Sequence, residues 1–84
     1  MTYAELIDEA RNIPSLRGIG DANLSAEFLS AQAQRYKQMA QEAFRIWENG
    51  GYRDNQALAM NTAFEIVQRG YEDALPKPKR ARRR

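Results

Sequence analysis

The tripeptide Asn49-Gly50-Gly51 stands between two apolar seams of matching length, and no other feature constrains the chain as much. On its N-terminal side Leu29, Ala33, Tyr36, Ala40, Ala43 and Trp47 recur at steps of four, three, four, three and four. On its C-terminal side Ala57, Met60, Phe64, Val67, Tyr71 and Ala74 recur at three, four, three, four and three. Alternating steps of three and four keep side chains on one face of an α-helix. Glycine takes the left-handed conformation at little cost, so Asn-Gly-Gly ends the first helix without a long connection. Two matched seams joined by so short a turn predict an antiparallel helical hairpin. The alanines at 33, 40 and 43 let its two helices approach closely.

Local signals set the boundaries. Ser25 is a good N-cap, and Leu24 and Leu29 occupy the two positions of a hydrophobic staple, which predicts a helix over 26–49. Phe28, Met39, Phe44 and Ile46 widen its seam, while Gln34, Lys37, Gln38, Gln41, Arg45 and Glu48 make the polar face. Asp54 or Asn55 caps the next helix, expected over about 55–75, where Glu65 and Arg69 form an i,i+4 pair. Gly70 lies inside that pattern and marks either close packing or a frayed end. Thr2-Tyr3-Ala4-Glu5 has the form of a capping box and opens a shorter helix over about 3–12. Pro14 biases Ile13 away from helical geometry and ends it. Residues 13–24 read as a linker that packs down through Ile13, Leu16, Ile19 and Leu24. The expectation is an all-α, three-helix domain over residues 1–75, dominated by the hairpin, with residues 76–84 as a disordered basic tail. Tyr36, Phe44, Trp47, Phe64 and Tyr71 lie on or beside the seams and are expected in the core.

Composition narrows the chemistry. The 84 residues contain neither cysteine nor histidine. Disulfides, Cys or His metal sites, Cys or Ser–His nucleophiles and imidazole acid–base catalysis are therefore excluded. Glu5, Asp8 and Glu9 read as a solvated face. The expectation is a non-enzymatic protein without catalytic residues, metal or cofactor. No apolar run is long enough to span a bilayer, and no leader pattern is visible. A cytoplasmic protein is expected, or a nuclear one in a eukaryotic host.

Charge is sharply partitioned. Lys77, Lys79, Arg80, Arg82, Arg83 and Arg84 place six of the 13 cations in the last eight residues. Residues 1–76 hold the other seven cations and all 11 acids, a net −4 against +6. Such a tail repels itself and stays open until a polyanion arrives; each neutralised phosphate then releases condensed counterions. Arginine also suits bidentate phosphate contacts. These six residues are the candidate nucleic-acid-binding site, with an acidic protein surface as the other partner for them. In size and layout the chain is similar to small phage or plasmid accessory proteins. The alternative is a protein–protein interaction module, such as an adaptor, assembly factor or inhibitor, using a helix face. Tyr52 and Arg53 at the hairpin tip are the candidate partner contacts. A core this thin gains from a homodimer or a larger assembly.

Between the first two helices, Gly18-Ile19-Gly20 resembles the helix–hairpin–helix motif, over about residues 5–29. The resemblance implies a turn whose backbone N–H groups grip DNA phosphate, making these three residues a secondary phosphate site. The chain departs from the pattern at Asp21, which repels phosphate, and at Glu27, where the family usually buries its residue.

Overall fold

The computed structural model describes residues 1–76. Four helices follow one another: α1 (Tyr3–Arg11), α2 (Leu16–Asp21), α3 (Ala26–Asn49) and α4 (Asn55–Ala74). Among the described residues there is no strand. The fold is all-α, and its frame is the antiparallel α3–α4 hairpin. The expected tail residues from Lys77 onward lie outside the described residues.

Each helix starts on the cap that its sequence supplies. Thr2 Oγ1 accepts from the Glu5 N–H at 3.1 Å while Glu5 accepts from the Thr2 N–H at 2.7 Å, which closes the capping box. Ser25 Oγ accepts from the Phe28 N–H at 3.2 Å and Asp54 Oδ1 from the Ala57 N–H at 3.1 Å. At the end of α3, Gly51 takes φ +73° and Tyr52 φ +63°. Two consecutive left-handed residues reverse the chain within five positions. The Tyr52 N–H donates to the Trp47 carbonyl at 2.9 Å, which satisfies one of the last free acceptors of the helix.

The core follows the two seams. Leu29, Ala33, Tyr36, Ala40 and Ala43 of α3 are buried, and so are Ala57, Met60, Phe64, Val67 and Tyr71 of α4. The Tyr36 ring stacks on Tyr71 at 5.8 Å between centroids and tilts against Phe64 at 6.0 Å. Asn61 Nδ2 donates to the Ala40 carbonyl at 2.8 Å, a polar tie that sets the register of the hairpin. From α1, Leu6 enters the core fully buried. The Tyr3 hydroxyl donates to Asp54 Oδ2 at 2.8 Å, which pins α1 to the start of α4. Arg35 of α3 pairs with Glu9, and the N-terminal ammonium pairs with Glu42 at 3.2 Å.

Three expectations are corrected. The linker over 13–24 contains a helix, α2, so the described chain has four helices where three are expected. Ser15 Oγ caps α2 by accepting from the Gly18 N–H at 2.9 Å, and Ile19 is buried against the hairpin. The second correction concerns Trp47 and Phe44, expected in the core. Trp47 is half-buried outside the main cluster, and Phe44 is 40% exposed. The cause is register. With Ala40 opposite Asn61, an antiparallel count places Trp47 opposite Asp54, where α4 has only begun. Tyr52 packs edge-on against the indole at 4.8 Å in place of a helix. Thirdly, Glu65 and Arg69 do not close into an ion pair; both face an open groove.

Candidate functional site

The six tail residues that carry the strongest sequence signal, Lys77, Lys79, Arg80, Arg82, Arg83 and Arg84, lie outside the described residues. The structure fixes where the chain hands over to them. Helix α4 ends at Ala74, and Leu75 turns extended at φ −65° and ψ 142° with its N–H donating to the Glu72 carbonyl. Glu72 and Asp73 stand exposed just before this point. Glu27 lines a shallow hollow with Leu75. Carboxylates of the body therefore stand near Leu75, at the end of the described residues.

Gly18, Ile19 and Gly20 are not a turn. All three belong to α2. The Gly18 N–H is held by Ser15 Oγ and the Ile19 N–H by the Ser15 carbonyl at 3.1 Å. The Ile19 side chain points into the core. A helix–hairpin–helix site needs those backbone donors turned outward toward phosphate, and here they are spent on the helix. The sequence resemblance to that motif is corrected accordingly. Two features produce the helix. Ser15 sits one position ahead of Leu16 as a cap, and Gly70 of α4 leaves a notch for its apolar face. A Cβ built on Gly70 would lie 2.5 Å from Leu16 Cδ2 and 3.5 Å from Ile19 Cδ1. Gly70 thus marks close packing rather than a frayed end. The nearby Arg17–Asp21 pair, at 3.8 Å, is almost fully exposed and contributes little.

Tyr52 and Arg53 are both exposed at the hairpin tip. Tyr52, Trp47 and Phe44 form a chain of rings, with Phe44 and Trp47 centroids 5.5 Å apart. Trp47 Nε1 is buried without a hydrogen-bond partner. Beside this tip, Asp54 is held below the ordinary carboxylate pKa by the Tyr3 hydroxyl first and the Ala57 N–H second. Tyr3 is correspondingly raised, through partial burial and then Asp54. Glu5 is lowered by its bond from the Thr2 N–H. These shifts belong to helix caps and ties, so they mark structural joints rather than reactive groups.

The feature that sequence reasoning missed is a groove of about 790 Å³ between α3 and α4, on the side away from α1 and α2. Ala40 and Phe44 contribute apolar surface to it. Lys37, Arg45 and Glu48 line it from α3, and Glu65, Arg69 and Glu72 from α4. Its polar α3 residues were legible as a solvated face. That the two polar faces meet across a groove depends on the rotation of each helix in the hairpin. No helix among the described residues is long and apolar enough to cross a membrane. Comparison with protein-family models, with curated proteins and with solved structures finds no match.

Proposed function

We propose that the chain is a small non-enzymatic accessory protein of nucleic acid, cytoplasmic or, in a eukaryotic host, nuclear. It binds phosphate backbone non-specifically through Lys77, Lys79, Arg80, Arg82, Arg83 and Arg84. The observation that carries this reading is the charge partition, +6 over residues 77–84 against −4 over residues 1–76. The spent backbone donors of Gly18 and Ile19 support it too, since they leave the basic segment without a rival phosphate site in that loop.

The test compares the full chain with a truncation after Leu75 on random duplex DNA and on RNA across a salt series. Six contacts give a slope of log affinity against log salt of about −5, from about −0.9 per neutralised phosphate. The truncated protein is expected to lose binding while it keeps its helical circular dichroism. Salt-sensitive binding retained by the truncation sinks the tail assignment.

The exposure of Phe28 and Ile66, 45% and 48%, favours a second reading. It is a protein-interaction module in which an adaptor, assembly-factor or inhibitor role uses a helix face. A full chain that ignores nucleic acid at low salt, together with a truncation that still forms a defined complex with a purified partner, selects that reading.

A further inference from the structure

We propose that the α3–α4 groove is a self-complementary interface on which a second copy of this chain docks. The two hairpins form a four-helix bundle about a two-fold axis parallel to the helices, with Lys37 of each copy facing Glu65 of the other.

Among the described residues, the groove is the uncovered side of the hairpin. Helices α1 and α2 pack on the hairpin, but no residue of either lines the groove. Phe44 stands at its edge with 40% of its surface exposed, beside the buried Ala40. Phe44 is a large apolar side chain placed where a monomer leaves it wet.

Charge selects the occupant. Lys37, Arg45 and Arg69 oppose Glu48, Glu65 and Glu72, three of each sign. Among the described residues, none of the six is in an ion pair. A balanced groove gives no net attraction to a polyanion such as nucleic acid, nor to a polycation such as residues 77–84. A surface of the same mixed sign is attracted to it, provided that unlike charges meet.

The distribution of signs then selects the symmetry. The α3 side carries two cations and one anion, and the α4 side two anions and one cation. A two-fold axis across the helices would lay α3 on α3, like on like. An axis parallel to the helices lays α3 on α4 of the other copy, unlike on unlike, as an isologous interface allows. Register supplies the pair. The Asn61–Ala40 hydrogen bond sets those residues level. Three positions farther along the antiparallel helices, Lys37 is level with Phe64, so Glu65 is displaced by one residue, about 1.5 Å along the axis. A two-fold parallel to the helices preserves level, so Lys37 meets Glu65 of the other copy, and the contact is made twice. Packing of two such hairpins is the ordinary geometry of a four-helix bundle.

The experiment is sedimentation equilibrium on the full chain, nuclease-treated, at physiological salt, with circular dichroism on every variant. The wild type is expected to dimerise with a dissociation constant at or below about 10 µM. Lys37→Glu and Glu65→Lys are each expected to weaken the dimer at least about tenfold, a difference of about 1.4 kcal/mol, and the double exchange to restore it. Phe44→Ser, at an exposed position, is expected to yield folded monomer. A wild type that stays monomeric at about 100 µM overturns the proposal and leaves the groove to residues 77–84 or to a foreign helix. Single variants without effect, or a double exchange without rescue, overturn it equally, because the register argument then fails.

Discussion

Trp47 and Phe64 are both seam aromatics, but Trp47 closes its seam and Phe64 sits in the middle of its own. Phe64 is fully buried between α3 and α4, whereas Trp47 lies past the end of the helix pair. Phe64→Ala is therefore expected to cost about 3–5 kcal/mol, the range for a large buried aromatic. Trp47→Ala is expected to cost less, about 1–3 kcal/mol, since part of the ring is already wet. The unpartnered Trp47 Nε1 sharpens the contrast. Trp47→Phe removes a buried donor that has no acceptor, so it is expected to be near neutral, against the penalty that an ordinary loss of ring size brings. Urea unfolding of the three variants measures all three values. The caps carry a pH signature at the same scale. Asp54 has its folded pKa depressed by Tyr3 and the Ala57 N–H. A carboxyl depressed in the folded state contributes stability that is present above its unfolded pKa, near 4, and is lost as pH falls through the lower folded value. Asp54→Asn is expected to flatten that acid limb of the stability curve, and Tyr3→Phe to flatten it in part. Thermal melts between neutral pH and strong acid check both.

Among the elements, α2 depends most on its neighbours. Six residues are too short to hold a helix in water, and two of its six are glycines. It persists because Leu16 and Ile19 lie against the Gly70 notch of α4. Gly70→Ala adds a methyl that meets the end of the half-exposed Leu16 side chain, which can turn aside. Its gain in helix propensity, about 1 kcal/mol, offsets that displacement, so the net change is expected within about 1 kcal/mol of zero. Gly70→Leu fills the notch and must expel Ile19. A loss of about 1–3 kcal/mol is expected, with the amides of residues 16–21 losing hydrogen-exchange protection before the rest. Equal protection of α2 in both variants would show that the notch is not what holds it. The α3–α4 turn is the opposite kind of element, settled locally. Gly51 at φ +73° accepts no Cβ without strain, so Gly51→Ala is expected to destabilise by about 1 kcal/mol, measured by the same unfolding assay.

Across the whole molecule, the charge divides into an acidic body over residues 1–76 and a basic segment over 77–84, which the proposed reading assigns to nucleic acid. If two copies pair through the groove, each dimer carries two basic segments, and binding of the second becomes intramolecular. Non-specific affinity for long DNA is then expected to fall steeply in the Phe44→Ser variant, although that residue is remote in sequence from every tail cation. A short duplex that accommodates one segment is expected to bind both forms alike. Filter binding on long and short duplexes measures the difference.

The hairpin, the helix caps at Thr2 and Ser25, a cap at Asp54 or Asn55, and a reversal at Asn49-Gly50-Gly51 were all legible in the sequence. Each depends on residues within a few positions of one another, where backbone geometry and side-chain hydrogen bonds act alone. The charge partition was legible for a similar reason, since it is a property of order along the chain. Where the seams stop being core was not legible. Periodicity assigns Trp47 to the apolar face, but burial needs a second helix at the same level, and the Asn61–Ala40 register leaves none there. Likewise Gly18-Ile19-Gly20 resembles a phosphate-gripping turn only until Gly70, 50 residues later, supplies the notch that makes it a helix. The groove lined by Lys37 and Glu65 exists only once α3 and α4 have set their rotation against each other. Local hydrogen bonding and spacing thus determined the elements, and long-range packing decided which faces are covered and which remain open to a partner.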